Sequence, residues 1–117
     1  MNLNEYSDWT KNTCAKLANK DLDNYHMLFG MSTEIGELQD IFKKKMAYNK
    51  DMDWVNVKEE IGDLMFYVAS FCRINGFDLD NIIATNVSKL EYRYPEKFTQ
   101  KSAKNRDLKG ERNILEQ

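Results

Sequence analysis

The chain predicts an all-α fold, a four-helix bundle with two long antiparallel helices and shorter companions. Three observations carry that prediction. Proline occurs once, at Pro95, and glycine five times, too few turn formers for a sheet protein. Apolar residues recur at three-to-four spacing through the two central stretches. The polar breaks between periodic stretches are short, which makes consecutive helices antiparallel neighbours. At 117 residues the length suits one domain spanning 1–117.

The first helix is expected over about Asn4–Ala18, with Tyr6, Trp9, Thr13, Lys16 and Leu17 near helical spacing and Ser7 or Asp8 as cap. Lys20-Asp21 breaks it. Asp21 or Asp23 then caps a second helix to about Met46, whose inward stripe reads Leu28, Met31, Ile35, Leu38 and Phe42. Residues 47–53 are a polar connection, and Asp53 caps a third helix from Trp54 to Asn75. Val57, Ile61, Leu64, Val68, Phe71 and Asn75 mark its inward face, and Gly76 stops it. Asp78 caps a fourth helix to about Tyr92, ended by Pro95. Residues 99–117 read as a charged arm or as a short helix over about Lys104–Leu115. So few helices make a thin bundle, so pairing of chains through the apolar side of the second or third helix is expected.

Charge and composition bound the function. A net charge of −2 and a pI near 5.4 give no bulk basic field, so no nucleic-acid partner is expected. No window is apolar enough to span a membrane, so none is expected as partner. The opening MNLNEYSDW lacks the basic and apolar regions of a signal peptide, and a cytoplasmic location is expected. Cys14 and Cys72 have no metal-finger spacing and read as reduced thiols.

One stretch is written twice. Glu34-Ile35-Gly36-Glu37-Leu38 returns 26 residues later as Glu60-Ile61-Gly62-Asp63-Leu64. Residues three apart share a helix face, so each copy aims two carboxylates one way, at the border of the apolar stripe. A single such pair is ordinary on a solvated helix back. Two in one register on antiparallel helices would bring four acids together, and that charge calls for a cation. All-oxygen ligation selects Mg²⁺, with Mn²⁺ also suited, over zinc or copper. A di-iron site would need a histidine three residues after a glutamate, and the only histidine, His26, stands eight residues before Glu34. Gly36 and Gly62 each cost about 1 kcal/mol against alanine in a helix interior. Their matched placement predicts a close approach of another helix or a ligand to both backbones.

Magnesium held by carboxylates commonly takes its other ligands from phosphates, which need cationic partners of their own. Asn86, Lys89 and Arg93 supply such a face at i, i+3 and i+7 of the fourth helix. Lys43, Lys44 and Lys45 are ordinary compensation of a helix C-terminus.

Together, Glu34-x-x-Glu37, Glu60-x-x-Asp63 and Asn86-x-x-Lys89-x-x-x-Arg93-Tyr94-Pro95 resemble the MazG-like, all-α nucleoside triphosphate pyrophosphohydrolases, from about Tyr25 through Phe98. Arg106-Asp107 and Glu111-Arg112 are similar to the family's charged C-terminal segment. The resemblance implies cleavage of a (deoxy)nucleoside triphosphate between the α and β phosphates, giving a monophosphate and pyrophosphate. It implies that Glu34, Glu37, Glu60 and Asp63 hold Mg²⁺ and form the catalytic set. It further implies that Asn86, Lys89 and Arg93 orient the triphosphate, and that chains assemble as homodimers or homotetramers. One departure stands out: the family often has a second glutamate where this chain has Thr33, and Glu59 points about 100° away from Glu60. Two other readings stay open, a non-catalytic helical module for nucleotide or protein, and a pyrophosphohydrolase of phosphoribosyl nucleotides. Trp9, Tyr25, His26, Phe29 and Trp54 are candidates for the base, which the sequence does not name.

Overall fold

The computed structural model describes residues 1–117 and holds six α-helices and no strand. They are α1 (Leu3–Trp9), α2 (Lys20–Tyr48), α3 (Trp54–Ile74), α4 (Leu79–Arg93), α5 (Gln100–Lys104) and α6 (Leu108–Leu115). Contacts divide the chain into two compact units, 1–77 and 78–117. Every helix starts on a side chain that accepts a backbone N–H in the first turn: Asn2, Asn19, Asp53, Asp78, Thr99 and Asp107. Such caps contribute about 1 kcal/mol each. None of the helices is long and apolar enough to cross a membrane.

In the first unit, α1 is shorter than its sequence predicts. It ends at Trp9, continues as a 3₁₀ turn over Thr10–Asn12, and residues 13–18 are not helical. The expected cap, Ser7, is buried and donates to the Ala69 carbonyl of α3 at 2.8 Å. Tertiary contact with α3 decides this segment, and local propensity does not. Asp23 likewise leaves its predicted capping role to Asn19, because its carboxylate accepts from Leu17 N–H at 2.7 Å.

The α2 and α3 helices form an antiparallel hairpin. At its open end the amides of Asn24 and Asn75 hydrogen-bond to each other both ways, at 3.1 and 2.7 Å. Near its closed end the rings of Phe42 and Trp54 meet edge to face at 6.2 Å. Between them the Tyr67 ring of α3 fills a notch at Gly30 of α2, where any Cβ would collide with it. That notch sets how α2 is rolled. It turns Gly30 and Glu34 toward α3 and buries Met27, while Leu28, Ile35 and Phe42 of the expected inward stripe stay 43%, 43% and 47% exposed. On α3, Val57 is buried as expected, whereas Ile61 is exposed. The expected inward stripe is therefore only partly inward. Glu34 and Glu60 do not border the helix seam but occupy it, while Glu37 and Asp63 stay exposed.

The second unit carries α4 with α6 packed on it. The tail expected as an arm or one short helix forms α5, a break at residues 105–107, and α6. Gly110 of α6 lies against the Tyr92 hydroxyl of α4, leaving no room for a Cβ, and that hydroxyl donates to the Asp107 carboxylate.

Candidate active site

Three of the four expected acids converge. Carboxylate oxygens of Glu34, Glu37 and Glu60 all lie within 4.8 Å of one another. Glu60 is only 7% exposed, Glu34 is half-buried and Glu37 is exposed. Asp63 is exposed and stands outside this triad, though its charge still reaches Glu34 and Tyr67. Antiparallel packing explains the split. With Glu34 facing Glu60, a step of three residues runs toward the loop on α2 and away from it on α3. Glu37 and Asp63 therefore diverge along the seam.

The triad is over-charged. Hydrogen bonding to Glu34 and Glu37, then burial, then their negative charges push the Glu60 carboxyl up to about 8. Glu34 is raised as well. Its hydrogen bond with Glu60 acts to lower it, but burial, the hydrogen bond with Glu37 and the charges of Glu37 and Asp63 outweigh that. Burial, followed by the charges of Glu34 and Asp63, raises the Tyr67 phenol. Buried Oε2 atoms of both Glu34 and Glu60 have no hydrogen-bond partner, which is costly for a carboxylate. Three carboxylates in one seam with two orphaned oxygens fit a hard divalent cation, whose preferred ligands are oxygens.

A groove of about 540 Å³ opens beside the triad, lined by Thr33, Gly36, Glu37, Asp40, Ile41, Lys44, Asn56 and Glu60. Nothing of the chain lies within 4 Å of a Cβ placed on Gly36 or on Gly62, so no helix makes the close approach those glycines suggested. Gly36 instead faces the open groove. Thr33, at the family's second glutamate position, donates its hydroxyl to the Gly30 carbonyl at 3.0 Å. Lys43 and Lys44 pair with Asp40 at 3.1 and 2.9 Å. Asn56 was not singled out by sequence. With its amide turned to donate, it lies 2.9 Å from Glu59 Oε1 and 3.1 Å from Glu60 Oε1. Its only sequence signal is its place one helical turn before Glu60.

The expected phosphate-binding residues all lie on α4, in the second unit. Asn86 is exposed, while Lys89 and Arg93 are half-buried. Arg93 stands over the Tyr94 ring at 5.6 Å and forks onto Glu111, with Nη2 at 2.6 Å and Nε at 3.3 Å. The aromatic candidates are largely uncovered: Trp9 stacks on Tyr6, Tyr25 on Phe29, and all but His26 are exposed. The His26 ring meets Tyr67 edge-on, with its Nδ1 buried and unpartnered.

Residues 23–98 match the MazG nucleotide pyrophosphohydrolase domain. The chain belongs to that family. The match spans both acidic motifs and the Asn86/Lys89/Arg93 face, and the helical architecture of this MazG domain agrees with it. No match appears among the curated proteins or the solved structures compared with it. Family membership makes a nucleotide the substrate class and a divalent metal the general requirement.

Proposed function

We propose that the protein is a Mg²⁺-dependent nucleoside triphosphate pyrophosphohydrolase, releasing pyrophosphate and a nucleoside monophosphate. The observation that carries this reading is the convergence of Glu34, Glu37 and Glu60 in the α2–α3 seam, with two buried oxygens unpartnered. Glu34, Glu37 and Glu60 would hold the ion, with Asp63, exposed farther along the seam, as the fourth acid of the set. Bound there, a divalent ion would neutralise phosphate charge and lower the pKa of a water for attack.

The chain's own residues do the rest. Without a cation Glu60 keeps a proton, and ligation requires that proton to leave. The Asn56 amide holds the Glu60 carboxylate in orientation. On α4, Asn86, Lys89 and Arg93 bind the triphosphate, the Arg93 guanidinium offering charge-assisted donors as negative charge grows on the leaving pyrophosphate. The uncovered apolar side chains Leu28, Ile35 and Phe42 support pairing of two or more copies.

Incubating the protein with Mg²⁺ and a panel of nucleoside and deoxynucleoside triphosphates, then resolving the products, tests the reading. Monophosphate plus pyrophosphate is expected. Diphosphate plus orthophosphate would overturn α–β cleavage, and no turnover by folded, metal-loaded protein would overturn the assignment as an enzyme. Including phosphoribosyl nucleotides in the panel separates the biosynthetic variant of the chemistry.

A further inference from the structure

The C-terminal unit holds a second charged cluster, centred on Glu111 of α6. Its side chain is 2% exposed, and it receives two arginines at once. Arg93 of α4 approaches with Nη2 2.6 Å from Oε1 and Nε 3.3 Å from Oε2. Arg106, from the break between α5 and α6, approaches with Nη2 2.8 Å from Oε1 and Nε 3.2 Å from Oε2. Each guanidinium thus presents the same edge to the same carboxylate. Arg106 is held from both sides, because the Asn105 amide donates to the Lys101 carbonyl at 2.7 Å and Asp107 caps α6.

The charge does not balance. Two guanidiniums share one carboxylate, which leaves one positive charge among the three groups; the hydrogen bonds to Glu111 favour charged Arg106, and burial and the charge of Arg93 act against it. A purely structural staple between α4 and α6 needs one arginine. The second adds like-charge repulsion without removing any further buried negative charge. A guanidinium has five N–H donors and Glu111 takes two from each arginine, so each fork has donors left over for a second acceptor. The Arg106 side chain is 41% exposed against 14% for Arg93, so it is the more accessible of the two. Lys89 lies one turn before Arg93 on the same helix face and adds a third positive charge. Planar guanidiniums with fixed orientation suit the oxygens of a phosphate group better than freely rotating ammoniums do.

We propose that Arg106 is a further phosphate-binding residue that forms a two-arginine clamp with Arg93 for the polyphosphate of the substrate, and that Glu111 is the positioning residue for both. This rests on the proposed reading of Arg93 as a phosphate ligand and adds a residue from outside the α4 face. The ligand class is a pyrophosphate-containing anion. Glu111 touches no substrate; it fixes the planes of the two guanidiniums and keeps them side by side despite their repulsion.

Inorganic pyrophosphate, titrated into the full-length protein without metal, tests the clamp apart from catalysis. Arg106→Gln should weaken pyrophosphate binding about tenfold, the loss expected for charge-assisted hydrogen bonds. Arg106→Lys, which keeps the charge but not the fork, should fall between the two. Glu111→Gln should weaken binding like the loss of an arginine although both arginines remain. In turnover assays Arg106→Gln should raise KM for the triphosphate more than it lowers kcat. If Arg106→Gln and Arg106→Lys lower the melting temperature but bind pyrophosphate like wild type well below it, Arg106 is only a staple and the proposal falls. Failure of wild type to bind pyrophosphate would also overturn it. Wild type that hydrolyses triphosphates with the Arg106 variants unimpaired removes the clamp and leaves the activity standing. Wild type that binds pyrophosphate through Arg106 but turns over no nucleotide does the reverse.

Discussion

Metal uptake by the acid triad should release a countable proton. The Glu60 carboxyl sits at about 8 in the protein alone, because Glu34 and Glu37 crowd it and the seam buries it. One pH unit below that value, at pH 7, about nine molecules in ten keep the proton, and at pH 6 about ninety-nine in a hundred do. An ion ligates only the carboxylate, so binding at pH 7 should expel about 0.9 proton from this group. Apparent Mg²⁺ affinity should then fall about fivefold from pH 8 to 7 and about tenfold from pH 7 to 6. Calorimetric titration with Mg²⁺ in two buffers of different ionisation enthalpy reads the proton number directly, and Glu60→Gln should abolish the release. The same group fixes a sign for stability. Its folded value lies above its ordinary one of 4.5, so its contribution is full at low pH and is lost as pH rises through about 8. Without metal the first unit should therefore melt lower at pH 8 than at pH 5.5 through this group, and saturating Mg²⁺ should reverse that slope. No proton release at pH 7, with affinity flat from pH 6 to 8, would refute the placement of Glu60 as an acid-crowded metal ligand.

Gly30→Ala should destabilise by about 1–3 kcal/mol in urea denaturation, because the new methyl meets the Tyr67 ring. Gly36→Ala has open space and should stabilise by up to about 1 kcal/mol through helix propensity. Glu111 is held down to about 2 by hydrogen bonds from Arg106 and Arg93, so its stabilisation is present above its ordinary value of 4.5 and disappears as pH falls toward 2. Acid titration followed by tyrosine fluorescence should show that loss in wild type and not in Glu111→Gln. Light scattering at micromolar concentration should give a dimer or larger assembly, and Ile35→Lys should shift it toward monomer; a wild-type monomer would contradict pairing through the uncovered α2 face. Glu37→Ala and Asp63→Ala should both abolish turnover with helicity intact, and Glu37→Ala should also weaken Mg²⁺ binding.

The parts of the fold legible in sequence were those written by local chemistry. Asp53 and Asp78 announce α3 and α4 because a carboxylate before a periodic stretch caps a helix wherever the rest of the chain goes. Gly76, at a φ of 67°, marks the stop after α3 for an equally local reason. The roll of α2 was not legible. Apolar spacing shows which residues prefer to leave water but not which surface covers them, and the Gly30–Tyr67 contact joins positions far apart in sequence. The repeated acidic motif revealed Glu34, Glu37 and Glu60 as a group. It also suggested an equivalence between Glu37 and Asp63 that antiparallel packing breaks. Glu111 with Arg106 left the weakest trace, since two forks onto one carboxylate are a property of the folded tail and follow no spacing rule.

The hairpin of α2 and α3 also bears on how the chain reaches its folded state. All three converging acids lie on consecutive helices joined by a short connection, so the triad assembles as soon as that one local closure occurs. Closures between sequence neighbours are among the fastest steps in folding. Here the closing surfaces carry like charge at their centre, and mutual repulsion opposes the encounter. A divalent ion removes that opposition at the moment of closure. It should therefore speed the collapse of the helical pair and not merely slow its opening, which stopped-flow refolding with and without Mg²⁺ would resolve.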